Sequence, residues 1–217
     1  MQKIPTWSAS SLDAFITCPH KYYRLRVARD VKDFPPSDAL LLGRKLHKDF
    51  ENAVNYGDPL PESCKHWQSL VDKLKTAPGE RLVEYEFCVN ENFQPCTRKE
   101  AWSRGLADLV IKCGKTALII DYKTGKRKPS DQLALYAAYA FATWPEIQTV
   151  HTNFVWLKDR KMDKEVYTRE QVPELWGKFL PLVARMKHAF ESDVWDTRPS
   201  GLCRQWCPVK DCKFCGV

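Results

Sequence analysis

The stretch "TALIIDYK", residues 116–123, limits the folds open to this chain more than any other segment. An oily run of this kind reads as a buried strand. It ends abruptly on Asp121, Tyr122 and Lys123. A basic, Pro-containing turn follows, and then "SDQLALYAAYAFATW", residues 130–144, an apolar-periodic helix capped by Ser130 or Asp131. A buried strand followed by a crossover helix calls for a sheet with helices laid over it.

The neighbouring segments agree. "RLVEYEFCVN" (81–90) and "WSRGLADLVIKCG" (102–114) read as strands, with Gly114 and Lys115 as a tight turn into residue 116. "TVHTNFVWL" (149–157) and "KEVYT" (164–168) read as two more, joined by the polar turn "KDRKMD". One helix runs over 12–27 from a Ser10 or Ser11 cap, broken near Thr17 and Cys18 by Pro19. A second covers 39–57, capped by Ser37 or Asp38 and ended by Gly57, with Leu42, Leu46, Phe50 and Val54 as its apolar stripe. A third covers 63–75, and a last one 172–191 with a bend at Pro181. The expectation is an α/β (or α+β) fold, a mixed central β-sheet flanked by helices. Residues 1–217 would form one domain. The tail 198–217 has no periodicity and must be organised by something else.

Composition narrows the classes. The 217 residues are 44% hydrophobic, which is enough for a real core. No run of eighteen apolar residues offers a membrane span, and "MQKIPTWSAS" lacks a signal peptide's apolar run, so a cytoplasmic protein is expected. A net charge of +7 favours a polyanionic partner. Nine cysteines without a signal peptide point to metal rather than disulfides. Cys203, Cys207, Cys212 and Cys215 all fall in the tail, a set that could hold zinc unaided.

Alternation along a strand puts Asp121 and Lys123 on one face and Tyr122 on the other. Counting back from the turn at Lys112–Thr116 brings Asp108 opposite Asp121. Two facing carboxylates repel unless a cation lies between them. Mg²⁺ takes oxygen ligands of this type and makes a water easier to deprotonate. Lys123 could orient that water or neutralise charge developing on a phosphate. The plain structural alternative is a solvated strand end with an Asp–Lys pair. Likewise, His47 could be an ordinary helix histidine, and Glu84 and Glu86 could reflect simple alternation rather than a metal shell. Lys126, Arg127 and Lys128 could hold a phosphate backbone. "HKYYRLRVAR" (20–29) interleaves aromatics with Arg24, Arg26 and Arg29, which suits stacking on single-stranded bases or packing inward.

The order of these motifs resembles the PD-(D/E)XK nuclease superfamily. Asp108 stands on one strand, Asp121-x-Lys123 on the next, and Gln132-x-x-x-Tyr136 on the following helix. "GRKLH" adds Gly43 and His47 ahead of the strands, as in the RecB-like branch, which includes CRISPR adaptation nucleases, AddB-type subunits and many phage exonucleases. The resemblance implies a restriction-endonuclease-like core and a Mg²⁺- or Mn²⁺-dependent deoxyribonuclease. It further implies an exonuclease on single-stranded DNA or free ends, acting in phage replication or recombination, DNA repair or CRISPR adaptation, in a bacterium or phage-infected host. Proteins of those pathways would be its partners. By position, Asp108 and Asp121 would bind the metal with His47 as a further ligand, and Lys123 would activate or place the water. Gln132 and Tyr136 would steady the site or touch the DNA backbone. "CPHKY" matches an early element of the branch. Cys18, Cys203, Cys207 and Cys212 would then hold a [4Fe–4S] cluster, with Cys215 spare. The branch's usual C-x2-C-x5-C stands here as C-x3-C-x4-C, and zinc on Cys203, Cys207, Cys212 and Cys215 stays open. A non-catalytic nucleic-acid-binding or assembly subunit and a zinc-stabilised interaction module are the alternatives.

Overall fold

The computed structural model describes residues 4–216. In chain order the main elements are α1 (Ala9–Thr17), α2 (Pro19–Tyr22), α3 (Asp38–Tyr56), α4 (Gln68–Thr76), β1 (Glu80–Val89), β2 (Ser103–Cys113), β3 (Thr116–Lys123), α5 (Gln132–Thr143), β4 (Thr149–Trp156), β5 (Lys161–Thr168), α6 (Val172–Gly177) and α7 (Leu180–Ser192). The five strands form one sheet in sequential order. All neighbours are antiparallel except β3 and β4, which run parallel and are joined through α5. This is the mixed, helix-flanked α/β sheet that the strand and helix periods predict.

The described residues fall into two compact units. One is Ser37–Trp176; the other takes the residues up to Pro36 together with those from Gly177 onward. In the first, Leu109, Ile111, Ile120 and Tyr122 of the sheet pack against Leu46, Phe50, Ala53 and Val54 of α3 and Val71 and Leu74 of α4. Helix α5 is buried along Leu133–Phe141, consistent with its apolar residues on every side. It lies close on β2: a Cβ added to Gly105 would stand 2.6 Å from the Tyr139 ring.

In the second unit Trp195 gathers the aromatics. Its ring centroid lies 4.9 Å from Tyr23 and 4.8 Å from Phe190, with Phe15 and Tyr22 each at 6.4 Å. The Arg198 guanidinium donates to the Ile16 carbonyl at 2.7 Å, tying the tail to the end of α1.

Several element boundaries differ from expectation. The cap of α1 is Ser8, in a reciprocal pair with Ser11, so the helix starts at Ala9. Pro19 does break the chain there, and it opens α2 where its missing N–H costs nothing. In α3, Leu42 is 46% exposed and the buried residues are Gly43, Leu46, Phe50, Ala53 and Val54. A four-residue repeat drifts by roughly 40° per step on a helix, so three steps turn Leu42 out while Val54 stays in. Strand β5 begins at Lys161, because Trp156 pairs with Lys161 across a tighter hairpin whose turn uses Arg160 at positive φ. The last helix is two helices, with Pro181 in the first turn of α7 rather than at a bend. Cys113, the last residue of β2, is exposed.

Candidate active site

The β2–β3 ladder runs from Cys113↔Thr116 to Leu109↔Ile120. One step further along this register, Asp108 stands opposite Asp121. Regular pairing stops there, and the Tyr122 N–H donates to Asp108 Oδ2 at 2.5 Å instead of to a strand carbonyl. The ladder therefore opens at the two acids, which are 9% and 5% exposed. The Tyr122 ring goes to the opposite face, 4.5 Å from Phe50. On the other side of β2, the pairs Val83↔Leu109 and Tyr85↔Ala107 bracket Glu84 and Asp108. Glu84, Asp108 and Asp121 thus form a row across three strands. Glu84 has φ +50°, a left-handed conformation that a non-glycine residue in a strand rarely adopts.

A network from α5 holds Asp121. Its Oδ1 lies 2.7 Å from the Tyr136 hydroxyl and 3.2 Å from Gln132 Nε2. Its Oδ2 faces the Lys123 ammonium at 2.7 Å. Lys123 also donates to Gln132 Oε1 at 2.8 Å, and Gln132 Nε2 to the Tyr136 oxygen at 2.8 Å. Tyr136 Oη also lies 2.5 Å from the Leu106 carbonyl, so its single proton serves either that oxygen or Asp121. From α3, His47 Nδ1 meets Asp108 Oδ1 at 3.0 Å. His47, Asp108, Asp121, Lys123, Gln132 and Tyr136 all line one open cavity of about 510 Å³, together with Glu51 and Glu84.

The charges at this cavity act on one another. Burial raises the Asp121 carboxyl above its ordinary range; Lys123 opposes this and Asp108 adds to it. Glu84 is raised by burial, then by Asp108 and Glu51. Burial pulls His47 down, but the hydrogen bond and charge of Asp108, with Asp121 and Glu84 behind, lift it above an ordinary histidine. The carboxylates of Glu84, Asp108 and Asp121, set in one row beside the His47 imidazole, offer the oxygen-rich surroundings that fit a hard divalent cation. Among the described residues, no three His, Cys, Asp or Glu side chains are gathered as ligands to one ion. Mg²⁺ does not need three, since it is held by one or two carboxylates and keeps its waters.

The structure brings together all six residues expected at the site. Tyr136 is 2% exposed, with its hydroxyl turned to Asp121. Glu86 pairs with Arg104 at 3.2 Å and is not part of the cavity lining. Arg127 of the basic turn is bonded to Asp163 of β5, with Nε–Oδ1 at 2.9 Å, so its charge is already matched. In the segment 20–29 the aromatics pack inward, with Tyr22 buried and Tyr23 on Trp195, and Arg24 pairs with Asp30 and Asp211, whereas Arg26 and Arg29 are exposed. Arg44, Leu106 and Thr124 also line the cavity, and neither spacing nor residue type marks them in the sequence.

All nine cysteines are free thiols. Cys18, Cys203, Cys207 and Cys212 line one cavity of about 20 Å³, and Cys215 is not part of that lining. Backbone N–H groups point at two of the sulfurs, Lys21 N to Cys18 Sγ and Ser200 N to Cys203 Sγ, each at 3.5 Å. The Gly216 N–H donates to the Cys203 carbonyl at 3.0 Å, which folds the end of the tail back on Cys203.

Comparison with known proteins gives the chain its relatives. No curated protein matches it. Among solved structures, a candidate exonuclease from Eubacterium rectale aligns over 97% of this chain and 86% of its own, with a TM-score of 0.52 and 13% identity, a likeness of fold. The crystal structure of SSO0001 aligns over 99% of this chain and 89% of its own, with a TM-score of 0.48 and 12% identity. A family model described as the PD-(D/E)XK nuclease superfamily matches residues 64–213. That span takes in Asp108, Asp121, Lys123, Gln132 and Tyr136 and starts downstream of His47. Well over half the chain is matched, and the protein belongs to the PD-(D/E)XK nuclease superfamily.

Proposed function

We propose that this protein is a divalent-metal-dependent deoxyribonuclease of the RecB-like branch, acting as an exonuclease on single-stranded or free-ended DNA. The observation that carries this reading is the row of acids at the open end of the β2–β3 ladder, with Lys123 2.7 Å from Asp121. A retired fold has no physical need to bury two facing carboxylates beside an ammonium. Nuclease membership and DNA as substrate follow from the family; the exonuclease mode rests on the branch resemblance.

Asp108 and Asp121 would hold Mg²⁺ or Mn²⁺, with His47 beside Asp108 as a further ligand. The bound ion supplies Lewis acidity and a water of lowered pKa. Lys123 places its ammonium where the phosphate gains negative charge. Gln132 fixes Lys123 by accepting from it, and Gln132 and Tyr136 hold Asp121 in one orientation.

The chain ends would carry a second metal. Cys18, Cys203, Cys207 and Cys212 would hold a [4Fe–4S] cluster; the four line one cavity, whose volume of about 20 Å³ would have to widen and whose sulfurs would have to draw together to ligate it. Zinc on Cys203, Cys207, Cys212 and Cys215 is the second reading, favoured by the Gly216-to-Cys203 hydrogen bond that returns the tail to its start. Either would be structural.

End-labelled single-stranded DNA incubated with Mg²⁺ or Mn²⁺ tests the main reading. Wild type should shorten the strand, EDTA should stop it, and Lys123→Ala should lose about a hundred- to a thousand-fold in rate while still folding. A Lys123→Ala protein as active as wild type would refute it.

A further inference from the structure

The nuclease reading explains one wall of the 510 Å³ cavity and uses only His47 of the other. That other wall begins on α3. Leu40, Arg44, Lys48 and Glu51 follow one another at three- or four-residue steps, with His47 beside them three residues after Arg44, a second stripe distinct from the core-facing one. The cations of this helix are not equivalent. Lys48 pairs with Glu51 at 2.7 Å and Lys45 faces Asp49 at 3.7 Å. Across the cavity, Lys123 is committed to Asp121 and Gln132. Arg44 is exposed, and its side chain has neither an ion pair nor a hydrogen bond among the described residues. A guanidinium left unmatched at the rim of an acidic cleft is matched to an anion from outside, and its planar fork suits phosphate.

Two exposed leucines share its cavity. Leu40, one turn before Arg44, is 49% exposed, and Leu106, two residues before Asp108 on β2, is 50% exposed. Both line the cavity that holds the acids. Apolar carbon half out of water beside such polar groups gains by covering a flat apolar surface.

We propose that Arg44 is a substrate-positioning residue for an unpaired deoxynucleotide. It holds the backbone phosphate next to the one facing Asp108 and Asp121, while Leu40 and Leu106 pack on that nucleotide's sugar and base. This rests on the nuclease reading and deepens it, because a base can reach a leucine shelf only after leaving the duplex stack. The preference for single strands then comes from this wall.

Binding of a fluorescein-labelled thymidine oligonucleotide to the full chain, without divalent ion, tests it over a salt series. Arg44→Ala should weaken binding about three- to ten-fold and flatten the log–log salt slope by about 0.7, the share of one single-strand phosphate contact. Arg44→Lys should keep the slope. Leu40→Ser should weaken binding without changing the slope and narrow the preference for single strand over blunt duplex. With Mn²⁺ present, Arg44→Ala should raise KM more than it lowers kcat. If wild type cleaves and Arg44→Ala keeps its affinity and slope, this inference falls and the nuclease reading stands. If wild type neither binds nor cleaves, the nuclease reading falls first.

Discussion

Asp121 is the residue on which the proposed chemistry turns, and its surroundings make its charge depend on what is bound. Burial and Asp108 raise its carboxyl above the ordinary range, against the pull of Lys123. His47 is raised as well, once Asp108 overcomes the effect of burial. A group whose pKa is higher folded than unfolded contributes stability at pH below its ordinary value and loses it as pH climbs through the raised one. Both shifts have the same sign. The metal-free protein should therefore melt at lower temperature as pH rises from the acidic range of Asp121 through the neutral range of His47. Mn²⁺ favours the deprotonated ligands, so the rise in Tm it produces should grow with pH, and Asp121→Asn should abolish most of that rise. Melting curves at several pH values, with and without Mn²⁺, check this. A Tm gain from Mn²⁺ that shrinks as pH rises would contradict it.

Helix α3 and strand β3 work as a pair, and Gly43 sets their distance. A Cβ at Gly43 would stand 2.7 Å from the Thr124 hydroxyl, the residue directly after Lys123, while Thr124 Cβ would be at 3.7 Å. Gly43→Ala should therefore push Thr124 aside, disturb Lys123 and slow cleavage severalfold. Thr124→Ala removes the hydroxyl and leaves ordinary contact. The double variant should regain wild-type cleavage and gain up to about 1 kcal/mol of stability, because alanine is the better helix former. Urea unfolding and a single-turnover cleavage rate on all four proteins complete the cycle. Additive losses in the double variant would show that Gly43 is not there for closeness.

Across the whole molecule, no helix among the described residues is long and apolar enough to cross a membrane, and the net charge of +7 suits a polyanionic substrate. The unit built from the two chain ends is tied by the Trp195 aromatic group, the Arg24 ion pairs, the Arg198–Ile16 hydrogen bond and the contacts of the cysteines, among others. If Cys18, Cys203, Cys207 and Cys212 hold an iron–sulfur cluster, anaerobically purified protein should be brown. Cys18→Ser should then bleach it and Cys215→Ser should not. The zinc reading reverses the two variants in a metal assay on colourless protein. In both cases chelation should raise hydrogen exchange in residues 197–216 and leave the sheet amides protected.

Much of this was legible in the chain. The two-residue turn at Gly114–Lys115 and the period of two along β2 and β3 are local, so counting alone aligns Asp108 with Asp121. The helical period places Gln132 under Tyr136 in the same way. Glu84 belongs to that row too, but its backbone conformation is no part of any residue pattern. Arg44, Leu106 and Thr124 carry no signature either. They become neighbours only when α3 docks on the sheet, and the docking depends on summed packing rather than on spacing. Cys18 and the tail cysteines, nearly two hundred residues apart by number, share a cavity for the same reason. Periodicity thus specified which acids could meet, whereas the meeting of distant elements specified what surrounds them, because local patterns carry no information on long-range contacts.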